Sequence, residues 1–421
     1  MKSLVPMTLI AIVLSNSALC AVANLVKPAD FQKVAPPNTL TFNKDIAPIV
    51  HQNCTVCHRP GEIGPFSLIS YDDVKKRAKQ VGIVTGQRSM PPWKAEQNFG
   101  DFANARRLSD VQIATIQQWA DEGAAEGKPE DKKEAPKFPE GWQLGKPDLV
   151  LTMEKPYTVP AEGRDDYHCF IIPSNIPSDV DISAIEYRPS NRKVVHHIQL
   201  YQDVTGSARK RETKGPGSGI PGSAGLGQNW DGWAPSAQTP PLPPGIVKVL
   251  KKGADLVLEL HLHPTGKPEQ EQTSIGFYFS KVPRKDVVTT VPVAFRQLDI
   301  PAGEKAYKVS ATFTVPVNSD LIAVFPHAHY LGKDIKAQAT LPDGTKKPLI
   351  WISDWDFNWQ GQYRYATPLR LPKGSRVDVD FTFDNSAENP NNPSRTPRRV
   401  TWGEQTTNEM AILYLMAVPA R

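Results

Sequence analysis

From about residue 145 to the end of this 421-residue chain, apolar residues recur at every second position. That period places successive side chains on opposite faces of an extended strand, which a helix cannot do. The runs are Leu149–Met153, Val194–Tyr201, Leu256–His263, Ile275–Phe279, Tyr307–Val315, Leu321–His329, Val377–Phe383 and Ala411–Val418, with Pro342-Asp343-Gly344 as a turn. Many short strands, abundant proline and no helical run point to all-β sandwich architecture. About 275 residues is large for one sandwich, so two are expected, over residues 145–285 and 286–421.

Upstream the period changes. Residues 40–127 read as a small all-α domain: Val74, Ala78 and Val81 share a helical face, as do Ile113, Ile116 and Ala120, and Ser109 with Gln112 forms a capping-box signature. Residues 128–144 combine charge, Pro and Gly with almost no apolar content and read as a linker. Residues 1–23 read as a secretory signal: Lys2, an apolar run through Leu14, then Ala21-Val22-Ala23 for cleavage. That run is too short to span a bilayer and no later one is long enough, so the expected location is periplasmic or secreted, without stable membrane insertion. Ser17-Ala18-Leu19-Cys20 is a poor lipoprotein box.

With Cys20 removed, Cys54, Cys57 and Cys169 remain, so the cores rather than disulfides must hold the exported chain. The formal charge of +5 is spread over 49 basic and 44 acidic residues. Arg209-Lys210-Arg211, the tight basic run, sits in a Gly/Pro/Ser-rich stretch, which argues for a solvated loop tip and against a nucleic-acid footprint.

Two separate metal vocabularies follow. In Cys54-Thr55-Val56-Cys57-His58, two thiols spaced by two residues reach the two vinyl carbons of a haem, and His58 falls under the iron as proximal ligand. Covalent haem c is therefore expected. For the sixth position the candidates are Met90, in Ser89-Met90-Pro91-Pro92-Trp93, and His51; a proline after a ligating Met holds its arm extended, and a thioether raises the potential as suits an electron relay.

Seven of the nine histidines fall in CxxCH, HH or HxH patterns. His327 and His329 alternate on a strand, so both leave the same face and can share one metal, to which Met410 adds a soft thioether. The adjacent His196 and His197 would point to opposite faces of a regular strand, so their joint use demands a twist or a bulge. His261 and His263 share a face. Imidazole with thioether is copper rather than zinc chemistry, although structural zinc at the His sites is an alternative.

Val195-His196-His197, Leu258-Glu259-Leu260-His261, Pro326-His327-Ala328-His329-Tyr330-Leu331-Gly332-Lys333 and Asn408-Glu409-Met410 resemble, in order and interval, the copper type II ascorbate-dependent monooxygenases, the family of peptidylglycine α-hydroxylating and dopamine β-monooxygenases. The resemblance covers roughly residues 145–421, and the haem region resembles a cytochrome c domain fused to some bacterial members. It implies two jelly-roll domains facing a solvent-filled cleft. It implies an electron-storing copper on His196, His197 and His261, and a dioxygen-binding copper on His327, His329 and Met410, with Tyr414 retained beside it. His261 is preferred to His263 because it matches the family position after Leu-x-x.

There are departures. Cys169 matches a position that is bridged in animal members but has no partner here, so it also reads as a small buried hydrophobe. Phe325 and Ile412 stand where the peptide hydroxylase carries an Arg and an Asn, which makes an anionic peptide tail an unsuitable substrate. Glu259 replaces a Gln beside the first copper. Trp230-Asp231-Gly232-Trp233 and Asp356-Phe357-Asn358-Trp359-Gln360 read either as aromatic pocket walls or as core packing. The expected activity is copper-dependent hydroxylation of a C–H bond of a small molecule by dioxygen, with electrons from a reductant or redox protein relayed by the haem. The alternative is a periplasmic electron-transfer or copper-binding protein without substrate turnover.

Overall fold

The computed structural model describes residues 32–420 except 104, 164, 213–218, 223–228 and 235–239. The signal segment and Cys20 lie outside the described residues. Among those described, no helix is long and apolar enough to cross a membrane.

Residues 149–287 build two five-stranded sheets. One runs Leu149–Thr152, Ser274–Phe279, Val180–Arg188, Ile246–Leu250, Asp286–Val287; the other runs Ile220–Pro221, Asp166–Pro173, Asp255–Leu262, Val195–Asp203, Asn229–Trp233. The Asp255–Leu262 strand is buried along its whole length. Its even positions, Leu256 to Leu262, enter the core between the sheets, while Val257, Glu259 and His261 leave by the opposite face. The chain then crosses over at Val288, whose N–H still reaches the Val247 carbonyl at 2.9 Å.

The rest of the chain forms two four-stranded sheets around Leu321, Ile335, Ala337, Leu349, Phe381 and Phe383. One runs Thr289–Ala294, Ile412–Pro419, Ser319–His327, Tyr363–Leu371, and the other Tyr307–Thr314, Arg376–Phe383, Gly332–Thr340, Lys346–Ile352. The eight period-two runs all lie on strands, with ends displaced by no more than about two residues, the usual uncertainty of such boundaries.

The expected all-α N-terminal cytochrome c domain is corrected. The chain is mostly β, and among the described residues its N-terminal part holds four short α-helices: α1 Ala47–Asn53, α2 Tyr71–Lys75, α3 Ala78–Gly86 and α4 Asp110–Asp121. The local helical signals were sound. Val74, Ala78, Val81, Ile113, Ile116 and Ala120 are all buried beside Trp119, and Ser109 and Gln112 form a reciprocal capping box. The stretches between the helices are irregular, and one of them leaves the helices altogether. Phe102 stacks on Tyr365 at 5.2 Å, Trp93 meets Tyr363 edge-on at 5.2 Å, and the Glu96 and Ala103 N–H groups donate to the carbonyls of Trp351 and Arg364. Residues 93–103 are thus part of the C-terminal β core, and what remains is a helical lobe sewn to it.

Candidate metal centres

The first cluster forms at a break in strand register. Opposite Asp255–Leu262, Val195 pairs with Leu262 but His197 pairs with His261, so His196 is the extra residue of a bulge. This is the distortion that the adjacent pair requires, and it turns both rings to one side. The His196 and His197 Nδ1 atoms are 3.2 Å apart, and those of His197 and His261 are 3.3 Å apart. His196, His197 and His261 together form the group of metal-ligating side chains found among the described residues, with one ring nitrogen from each within 4.8 Å of the others.

Asp165 selects the nitrogen that His261 offers. The His261 Nε2–H donates to Asp165 at 2.8 Å, which leaves Nδ1 bare toward the other two rings. His263, its side chain 66% exposed, takes the other oxygen of the same carboxylate at 2.8 Å and stays outside the cluster. Burial pushes the Asp165 carboxyl up, but the two imidazole hydrogen bonds outweigh it and bring it down to about 2. Tyr167 stacks flat on His261 at 4.2 Å.

The second cluster lies where the Ser319–His327 strand ends. The His327 and His329 ring centroids are 5.2 Å apart. Here the Nδ1 atoms are engaged: that of His327 donates to Gln360 Oε1 at 2.6 Å, and that of His329 to the Asn408 carbonyl at 3.0 Å. Each ring therefore presents Nε2, the reverse of His261. Glu409 holds the two ligand segments together, accepting from the N–H groups of His329 (2.8 Å), Leu331 (2.6 Å) and Met410 (3.1 Å). Burial pushes its carboxyl up to about 8 against those donors. Trp355 Nε1 donates to the His329 carbonyl, and Gly332 permits this because a Cβ there would lie 2.7 Å from the indole.

Burial keeps these imidazoles uncharged. His196 and His329 are pushed down to about 3, His327 to about 4, and His197 and His261 are lowered as well, His261 in spite of Asp165. Neutral rings are the form that binds metals. Nitrogens held about 2.0–2.1 Å from one metal in a tetrahedral arrangement stand about 3.3–3.4 Å apart. The His196–His197 and His197–His261 Nδ1 spacings match that separation, so the donors fit a metal ion.

A cavity of about 530 Å³ is lined by His197, His327, His329 and Met410. Phe325 and Tyr414, register partners on neighbouring strands, stack at 5.8 Å on its wall beside Ile412. Trp230 and Trp233 line it too while packing into the N-terminal core, so both readings of that motif hold at once. Glu259, 3% exposed, faces the cavity and accepts from the buried Cys169 thiol at 3.7 Å. Behind this cavity the Phe357 ring lies 4.7 Å from that of His196 and 5.9 Å from that of His329.

Cys54 and Cys57 are free, half-buried thiols in the turn after α1. The His58 Nδ1–H donates to the Phe66 carbonyl at 3.2 Å, leaving Nε2 for a ligand, and burial lowers its pKa. These groups fit covalent haem attachment. Met90 is half-buried beyond α3, its N–H on the Val84 carbonyl. His51 has its Nε2 on the Ile69 carbonyl at 3.0 Å. Glu62, four residues past His58, pairs with Arg59 and with Arg192, which leads into the strand bearing His196.

Sequence reasoning missed Asp165 and the bracing parts of Gln360 and Glu409. The last two lie in motifs that were singled out for other reasons, whereas Asp165 stands in a loop without a pattern.

No protein-family model and no curated protein matches the chain. Similar solved structures include the major capsid protein P2 from bacteriophage PM2, at 9% identity over 65% of this chain and 98% of that one with a TM-score of 0.25. Another is PNGF-II, at 10% identity over 65% of each chain with a TM-score of 0.28. Likeness this loose bears on neither fold nor function.

Proposed function

We propose that this chain is a copper-dependent monooxygenase that hydroxylates a C–H bond of a small, largely apolar substrate with dioxygen, and that its CxxCH segment carries a covalent haem. The observation that carries this reading is the single cavity walled by imidazoles of both clusters together with the Met410 thioether. A carrier that only stores metal needs no such space beside Met410. Copper at these donors supplies one-electron redox steps and dioxygen activation, and the haem a further one-electron relay.

The chain's own residues bind, orient and exclude water. His196, His197 and His261 would hold one copper through uncharged nitrogens, and His327, His329 and Met410 the other. The Phe325–Tyr414 stack and Ile412 offer a flat apolar surface against which a substrate carbon is directed toward Met410. Burial raises the Tyr414 phenol to about 12, so its oxygen keeps the proton and serves as a donor at neutral pH. Lys248 and Asp231 on the wall already neutralise each other, so neither calls for a charged substrate.

The test is the metal content of the purified protein, followed by oxygen uptake with small apolar and aromatic compounds. One copper per cluster, one haem per chain and substrate-dependent uptake are expected. Copper that ignores oxygen across the screen would leave the electron-transfer reading, and zinc in place of copper would sink both.

A further inference from the structure

The turn that carries Cys54, Cys57 and His58 is tied to the first β sandwich by two charged side chains. Arg59 is 8% exposed, and its guanidinium donates to the Thr55 and Val56 carbonyls inside the motif at 3.3 and 2.9 Å. The same guanidinium donates to Gln143 Oε1 at 2.8 Å and lies 3.8 Å over the Phe138 ring. Gln143 in turn donates its N–H to Glu186, on the Val180–Arg188 strand, at 2.8 Å.

Glu62 makes the second tie. One of its carboxylate oxygens accepts from Arg59 and the other from Arg192, and the Glu62 and Arg192 side chains are only 14% and 23% exposed. Two guanidiniums on one largely buried carboxylate hold better than a solvated surface pair. Cys57 lies beside this group: burial raises its thiol pKa, and the charges of Arg106, Glu62, Arg59 and Arg192 act on it as well.

The turn that presents Arg192 is itself braced. Glu271, fully buried, accepts from Ser190 Oγ at 3.2 Å, from the Asn191 N–H at 2.6 Å and from Thr273 Oγ1 at 2.6 Å. Buried Val194 follows, and then the bulge at His196. Four residues of chain, from Arg192 to His196, reach at most about 14 Å even when fully extended. One ion pair and one fixed turn therefore connect the CxxCH motif to the strand of the first cluster.

We propose that Glu62 and Arg192 are positioning residues that dock the haem-attachment turn on the first sandwich, so that a haem there feeds the first cluster rather than the second. The inference rests on the haem and copper reading above. One electron crosses, from ferrous haem to Cu(II), leaving ferric haem and Cu(I); no bond forms or breaks. Such transfer falls steeply with separation, so a turn held against the strand passes electrons faster than one that swings free.

The experiment has two readouts on the full-length protein. Hydrogen exchange of residues 57–68, read without copper, reports the dock whatever the copper sites do. Haem reoxidation after flash reduction, in oxygen-free protein carrying measured haem and Cu(II), reports the transfer. Arg192→Glu, which sets like charges face to face, should speed exchange in that segment. It should slow reoxidation about tenfold, as a docked population cut to one tenth requires. Arg192→Lys keeps the charge and should keep most of the rate. Lys193→Glu makes the same kind of charge change on the exposed neighbour and should alter neither readout. His196→Ala/His197→Ala, which removes the first cluster, should abolish the fast transfer. If Arg192→Glu does not retain its copper, Arg192→Gln carries the test, and its rate must fall below that of wild type. Unchanged exchange or unchanged reoxidation in the Arg192 variants, or fast transfer that survives loss of the first cluster, overturns the proposal alone. Wild type that takes up no haem or no copper overturns the functional reading and this proposal with it.

Discussion

Asp165 and His261 are joined by a 2.8 Å hydrogen bond through the ring nitrogen that points away from the cluster, so a carboxylate on one strand entrance decides which nitrogen faces the other two imidazoles. Bracing of this kind is worth about 10–100-fold in metal affinity. Asp165→Asn should therefore weaken copper retention at the first cluster by about that factor, read by chelator competition. His263→Ala, which removes the exposed partner on the other oxygen, should leave retention unchanged. Equal losses in the two variants would mean that the carboxylate acts on the surface rather than on the cluster.

The N-terminal segment makes a separate prediction. Phe102 is 8% exposed and stacks on Tyr365 inside the C-terminal core. Phe102→Ala should cost about 3–5 kcal/mol in urea unfolding, the range for deleting a buried aromatic. The variant should still unfold with the β core in one transition. A helical lobe that melts by itself, with the β signal untouched, would refute the packing described here.

Much of this was legible in the sequence, for reasons that also mark where legibility stopped. Strands with one buried face announce themselves by alternation, and Tyr307–Thr314, exposed at every second residue, is such a case. The bulge at His196 follows from two adjacent ligands on a strand, because the pleat cannot otherwise serve both. His261 and His263 could not be separated, since they share a face; only the strand's end and the Asp165 fork distinguish them. The all-α reading failed because helical spacing reports local burial alone. The docking of Trp93 and Phe102 on Tyr363 and Tyr365 is a contact across some 260 residues that no period encodes. Phe357 was visible as an aromatic in a motif, but its place between two clusters is a property of how the sheets meet.

Glu409 predicts a pH dependence. Its folded pKa is raised to about 8 from the ordinary carboxylate range. The folded state therefore holds a proton that the unfolded chain releases at lower pH, so this group's contribution is fully present in acid and is lost as pH rises toward 8. In metal-free protein, the wild-type melting temperature should fall relative to that of Glu409→Gln between about pH 5 and pH 8, whatever the variant's own loss from mismatched hydrogen bonds. A constant gap between the two across that window would contradict a protonated Glu409.

Met410 carries the last prediction. Met-to-Leu replacement conserves volume and usually costs less than about 1.5 kcal/mol, so Met410→Leu should fold. It removes a sulfur that lines the same cavity as His327 and His329, whereas the other lining sulfur, that of Met416, already accepts from Gln362. X-ray absorption of the Cu(I) protein should then lose its sulfur scattering, with nitrogen scattering from the first cluster intact. Cu(I) should leave the second cluster faster under chelator challenge, because soft thioether donors favour that oxidation state. Met416→Leu is the control and should change neither quantity. If sulfur scattering persists in Met410→Leu and vanishes in Met416→Leu, the thioether ligand is Met416, and the substrate space belongs on the other side of the cavity.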